Sequence, residues 1–201
     1  MGFDIYGLKP ENPGNIIKPE HFDWADDTVT KETKDEYYKA INEYEENVIG
    51  SYFRNNVWWW RPLWTFVSGA CDDFLNDKDL DGGCENGGHV IGKTKAKRIA
   101  ARIRKLDKMG VIDAYEEEVT GIVKSANENN KKVRAEMDAI TKACQKEHGS
   151  HMVPANYPEP YKSQWNKAYA KEDWAGHYPF SADNVRHFAQ FCDSSGGFEI
   201  C

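Results

Sequence analysis

Strict alternation opens the chain. In G-F-D-I-Y-G, apolar Phe3 and Ile5 alternate with Asp4 and Tyr6, the period of a half-buried strand closed by glycine. The final residues, G-F-E-I-C, repeat the pattern with Phe198 and Ile200. The two ends are therefore predicted to pair as neighbouring strands, with these four apolar residues on one face. Between them the period lengthens to that of helices. Tyr37, Ile41, Tyr44 and Val48, spaced four, three, four, predict a helix from Thr33 to about Ile49, with Thr33 and Glu36 as a capping box and Gly50 as the stop. Leu63, Phe66, Val67 and Ala70 predict a second helix from about Pro62 to Leu75. Ala96, Ile99, Ile103 and Leu106 mark an amphipathic helix over 93–109, ended by Gly110. Ser181 caps a last helix that turns Val185, Phe188, Ala189 and Cys192 to the core.

The longest periodic stretch is 113–147. Tyr115, Val119, Ile122, Ala126, Val133, Met137, Ile140 and Cys144 follow heptad-like spacing, and Asn129 occupies a seam position. So narrow a stripe needs a partner helix: residues 33–49 carry a matching stripe about half as long and are expected to pair with it, with the remainder covered by 155–176 or by a second copy of the chain in a homodimer. Residues 8–29, 76–92 and 149–180 lack a period and read as irregular, and the aromatics of the third are expected to pack down on a neighbour. The pattern predicts a mainly α (α+β) fold: a compact helical core with a small terminal β-sheet and a projecting long helical hairpin. One domain, 1–201, is expected, with core segments 1–14, 50–112 and 178–201 and helical elaborations over 15–49 and 113–177.

Composition narrows the function classes. A net charge of −7 argues against broad nucleic-acid binding, which needs an extended positive surface. No apolar run reaches 18 residues, so no membrane span is expected. The first residues lack the basic and apolar regions of a secretory signal, and Cys71, Cys84, Cys144, Cys192 and Cys201 are odd in number and widely spaced. Together these point to reduced thiols in a cytoplasm.

One window concentrates chemistry. Residues 52–64, Y-F-R-N-N-V-W-W-W-R-P-L-W, hold four of the seven tryptophans with two arginines and two asparagines. Two readings stand. The indoles are core, supplying large buried area. Or their outer rim forms a recognition pocket, where rings stack on flat or cationic groups, arginine reads phosphate or carboxylate, and asparagine reads amide or base edges. The candidate ligand-binding residues are Arg54, Asn55, Asn56, Trp58, Trp59 and Arg61.

Other constellations read as structural. D-K-D-L-D-G at 77–82 opens like a calcium loop, with Asp77, Asp79 and Asp81 at positions 1, 3 and 5, but Gly88 stands where the bidentate carboxylate belongs. A solvated acidic turn fits better. Cys144, His148 and His151 are close enough for zinc but lack a fourth ligand. The basic residues of 93–108 suit a solvated face that complements the acidic start of the next helix. There is no P-loop, G-x-S-x-G or H-E-x-x-H, no catalytic residue stands out, and no cofactor is expected.

Three pieces together resemble a group of small, uncharacterised proteins of tailed phages and prophages. They are M-G-F-D-I-Y-G, the Y-F-R-N-N-x-W-W-W-R-P-L-W block, and the closing Y-P-F-S-A-D-N-V-R-H-F-A-Q-F-C-D-S-S-G-G-F-E-I-C. They cover about a quarter of the chain. The resemblance implies a phage-encoded protein of the host cytoplasm and carries no catalytic residues. The leading expectation is a non-enzymatic accessory protein that binds a host protein, in host takeover or defence inhibition. Binding or sequestering a nucleotide-like small molecule is the first alternative, and an enzyme with a carboxylate or histidine site the second.

Overall fold

The computed structural model describes residues 2–20 and 29–201. The fold is mainly α with one small antiparallel sheet. The described chain divides into two compact units, one running to Ala114 and resuming at Ser181–Cys201, the other Tyr115–Phe180.

In the first unit the chain ends meet. Strand β1 (Gly2–Gly7) is followed by helix α1 (Lys31–Asn47), strand β2 (Tyr52–Asn56), helix α2 (Val57–Ala70), the short helix α3 (Asp77–Gly82), strand β3 (His89–Gly92) and helix α4 (Lys93–Lys108). Helix α5 (Val111–His148) then leads through α6 (Tyr161–Tyr169) to helix α7 (Ala182–Ser194) and strand β4 (Gly197–Ile200). The sheet order is β2-β1-β4-β3, all antiparallel. Ile5 lies opposite Ile200, and Asp4 and Cys201 exchange both backbone hydrogen bonds at 2.8 Å. Phe3, Ile5, Ile91, Phe198 and Ile200 are buried on the face covered by helices, as the alternation predicts for the two ends.

Those helices seal it with aromatic rings. Phe53 and Phe198 each lie within 5.8 Å of both Phe188 and Phe191 of α7. α4 packs along α7 and buries Ala96, Ile99, Ala100 and Ile103. Leu106 of the expected stripe is half-buried. The stripe of α1 sinks Tyr44 and Val48.

Several expectations change. α1 begins at Lys31, two residues before the predicted start, because Thr30 is the cap and accepts from the Thr33 N–H at 3.3 Å. α2 begins at Val57 rather than Pro62. The Asn56 side chain accepts from both Trp58 and Trp59 N–H, and this double cap starts the helix five residues upstream of the proline. Residues 76–92 are not one loop. Asn76 and Asp79 form a reciprocal capping box for α3, and β3 adds the fourth strand. β2 was also unexpected.

In the second unit, the segment after α5 runs back along it. Tyr157 donates to Thr141 at 2.9 Å, Lys171 pairs with Glu136, and the Tyr115 and Phe180 rings meet edge to face. So 155–176 supplies cover from within the chain, one of the two sources expected for the part of the stripe beyond 33–49. The seam polar residue is Asn130, not Asn129. Asn130 is 1% exposed, and its amide brackets Asp173, donating to the backbone carbonyl and accepting from the N–H at 2.8 Å each. Asn129 is exposed and makes one bond at 3.2 Å. The difference is a step of one in a stripe that drifts because 3.6 does not divide seven.

Asn130→Ala should destabilise by roughly 2 kcal/mol, since it removes both hydrogen bonds that the buried amide makes to the Asp173 backbone. Asn129→Ala should stay within about 0.5 kcal/mol. Urea unfolding followed by far-UV dichroism checks both.

Candidate functional site

The tryptophan block divides into a buried half and an exposed half. Successive helix positions turn through about 100°, so consecutive indoles cannot share one environment. Trp60 and Trp64, four apart, lie on one face and stack at 5.6 Å with ring planes 13° apart. Phe3 stacks on the far side of Trp60 at 5.3 Å. Both indole N–H groups are satisfied by the turn that contains α3: Trp60 donates to Gly83 O at 2.8 Å and Trp64 to Leu80 O at 3.1 Å. Gly83 is glycine for a steric reason, because a Cβ there would lie 1.9 Å from the Trp64 ring. The stack therefore fastens β1, α2 and the α3 turn together.

Trp58 and Trp59 are 40% and 37% exposed on the first turn of α2. The other candidate residues divide among different surroundings. Arg54 lies on the sheet face away from the covering helices, 3.4 Å from Asp4, which also accepts from the Tyr52 hydroxyl. Asn55 points to the helix side and donates to Asn184 of α7 at 3.1 Å. Asn56 is occupied as the cap. Arg61 lines a cleft of about 310 Å³ with the edges of Trp60 and Trp64, Thr65, Gly83 and the exposed thiol of Cys84. Trp58, Trp59 and Arg61 thus share α2, whereas Arg54 and Asn55 face opposite sides of β2.

One cluster was missed by sequence reasoning. Asp79, 4% exposed, accepts from the Asn76 N–H, from His89 at 3.2 Å and from the Lys95 ammonium. Burial alone would raise its carboxyl, but these three partners outweigh that and hold it below the usual carboxylate range. The Asn-x-x-Asp spacing of 76–79 was the signal available. Asp79 departs from the solvated-turn reading of D-K-D-L-D-G, because it points inward and is held by the chain, whereas Asp77 and Asp81 are exposed.

The basic face of α4 is also engaged within the protein. Besides Lys95, Lys97 reaches Glu11 and Asp193, Arg102 chelates Asp73 at 2.9 Å, Arg104 meets Asp193, and Arg98 lies 4.0 Å over Phe74. These partners replace the expected acidic start of the next helix. Asp113 at that start pairs instead with Arg186 of α7 at 2.6 Å. Cys71 and Cys192 are buried, and burial pushes the Cys71 thiol up to about 12. Cys144 is buried and His148 exposed, and no group of three or more metal-ligating side chains occurs among the described residues. No helix among them is long and apolar enough to cross a membrane.

No protein-family model, no curated protein and no solved structure matches this chain.

Gly83→Ala should cost about 1–3 kcal/mol by forcing the Trp60–Trp64 stack apart, read as a lowered Tm with loss of near-UV indole dichroism. The Asp79 contribution has a defined pH window. Its folded value lies below the unfolded value of about 3.9, so the stabilisation is complete above that pH and is lost as pH falls through the folded value. Acid titration of stability should accordingly show a shallower acid limb in Asp79→Asn than in the parent.

Proposed function

We propose that this protein acts by binding a host protein, and that the recognition surface is the exposed edge of the tryptophan block, Trp58 and Trp59 with Arg61. The observation that carries this reading is the exposure of two adjacent indoles on a helix whose next turn is locked into the core. Tryptophan and arginine dominate energetic hot spots, and a ring held on a rigid element loses little entropy when a partner covers it. The host setting, a phage accessory protein in the host cytoplasm, rests on the resemblance of both chain ends and the block to small phage and prophage proteins. A second reading draws on the cleft beside Arg61. Its volume and its lining of indole edges, a guanidinium and a hydroxyl suit a nucleotide-like small molecule.

Trp59→Ala should keep the parent Tm within about 3 °C, whereas Trp60→Ala should cost about 3–5 kcal/mol. With the fold intact, Trp59→Ala should weaken capture of a host partner about thirtyfold, the effect of a 2 kcal/mol hot spot. Undiminished capture would remove the indole edge from recognition. A nucleotide panel in a thermal-shift assay tests the second reading, which requires a rise in Tm that Arg61→Ala abolishes.

A further inference from the structure

The sheet ends on one side at β2, and only half of that strand's backbone faces its neighbour. Asp4 of β1 directs both its N–H and its carbonyl to Cys201, so it offers neither to Arg54, which lies opposite it on β2. The bond from the Gly7 N–H to the Ser51 carbonyl sets the same parity, with residues 51, 53 and 55 facing β1. The N–H and carbonyl groups of Tyr52 and Arg54 therefore point away from the sheet. They have no hydrogen-bond partner among the described residues.

Stable monomers guard an open strand edge with proline, lysine, a bulge or a covering element. β2 contains no proline or lysine, and its five residues pair with β1 in an unbroken register. Arg54 is its one charged residue. The two ends of the edge differ in charge. Towards Asn56, the Arg54 side chain is 68% exposed beside Asp4, and the chain runs directly into the turn of α2 that carries Trp58, Trp59 and exposed Arg61. Residues 52–64 hold two arginines and no acidic residue, in a chain of net charge −7. At the other end, Tyr52 lines a cleft of about 280 Å³ with Asn42, Glu45 and Glu46 of α1. A strand laid along β2 would meet positive charge at one end and negative charge at the other.

We propose that β2 accepts a fifth strand: an extended segment of a partner protein, antiparallel to β2, with an acidic residue towards Arg54 and Arg61 and a basic residue towards Glu45 and Glu46. Main-chain hydrogen bonds to Tyr52 and Arg54 supply affinity, and the charges fix direction. Strand addition here rests on the reading that a host protein covers the indole edge, and specifies how that partner's chain is held.

The experiment is an NMR titration of the full chain with the peptide Ac-Glu-Val-Thr-Val-Thr-Lys-NH2. Its reverse sequence and an analogue N-methylated at the four central residues are the controls. The first peptide should bind with a Kd below about 5 mM and slow hydrogen exchange at the Tyr52 and Arg54 amides. The Phe53 and Asn55 amides, already bonded to β1, should not change. The reverse peptide should bind at least about threefold more weakly, and the N-methylated analogue should not bind. Relative to Arg54→Thr, Arg54→Pro removes an outward N–H without touching the ladder, and should weaken binding about tenfold at a similar Tm. Should Arg54→Pro fail to fold, the N-methylated analogue makes the same comparison. No saturable shift, equal binding of either control peptide, or exchange slowed away from β2 would each overturn strand addition. Pairing of two copies through β2 in the free protein would overturn it too. Host capture separates the two readings. Weakening by Trp59→Ala but not by Arg54→Pro would sink strand addition alone, whereas peptide binding at β2 with undiminished capture by Trp59→Ala would sink the indole reading alone.

Discussion

Two indole N–H donors hold this fold to its sequence. Trp60 and Trp64 must be buried for their area and must still satisfy their nitrogens, and the fold does so by placing carbonyl groups of the 80–83 turn against them. That turn can approach only because residue 83 has no side chain. Phe3 on the other side of Trp60 then ties the first strand to the same stack. Burial, hydrogen bonding and close approach are one constraint here, and relaxing any of them loosens the other two.

The constraint also sorts the surface from the interior. With Trp60 and Trp64 fixed inward, the helical turn compels Trp58 and Trp59 outward. The exposed indoles are thus a consequence of how the buried ones are seated. Elsewhere the chain spends its charges on itself: Asp79, Asp73, Asp193 and Asp113 each meet a basic side chain of α4 or α7. These pairs join elements far apart in number.

Much of the fold was legible, for identifiable reasons. The end strands carry a clean period of two, and α4, α5 and α7 carry a period near 3.6 with glycine or serine punctuation, so local pattern and tertiary role agree. β2 was hidden because its residues face three demands: Phe53 packs inward, Arg54 and Tyr52 serve the open face, and Asn56 belongs to the next helix. β3 is four residues long and emerges from a glycine-rich run. The acidic run at 77–82 imitates a metal loop until Lys95 and His89 are brought to it from elements that no local spacing could have supplied. Of the candidate binding residues, Trp58, Trp59 and Arg61 are gathered on α2. Arg54 and Asn55 part company because adjacent strand residues point to opposite faces, a separation invisible until β2 is seen as a strand.

Native-state hydrogen exchange on the terminal strands tests the central claim most directly. If the ends close over the indole stack, the amides of Asp4 and Cys201, which bond to one another, should exchange only through the same global opening that exposes the Trp60 indole N–H. Exchange of those amides within minutes, while Trp60 and helix α7 stay protected, would show frayed ends lying on a core that does not need them.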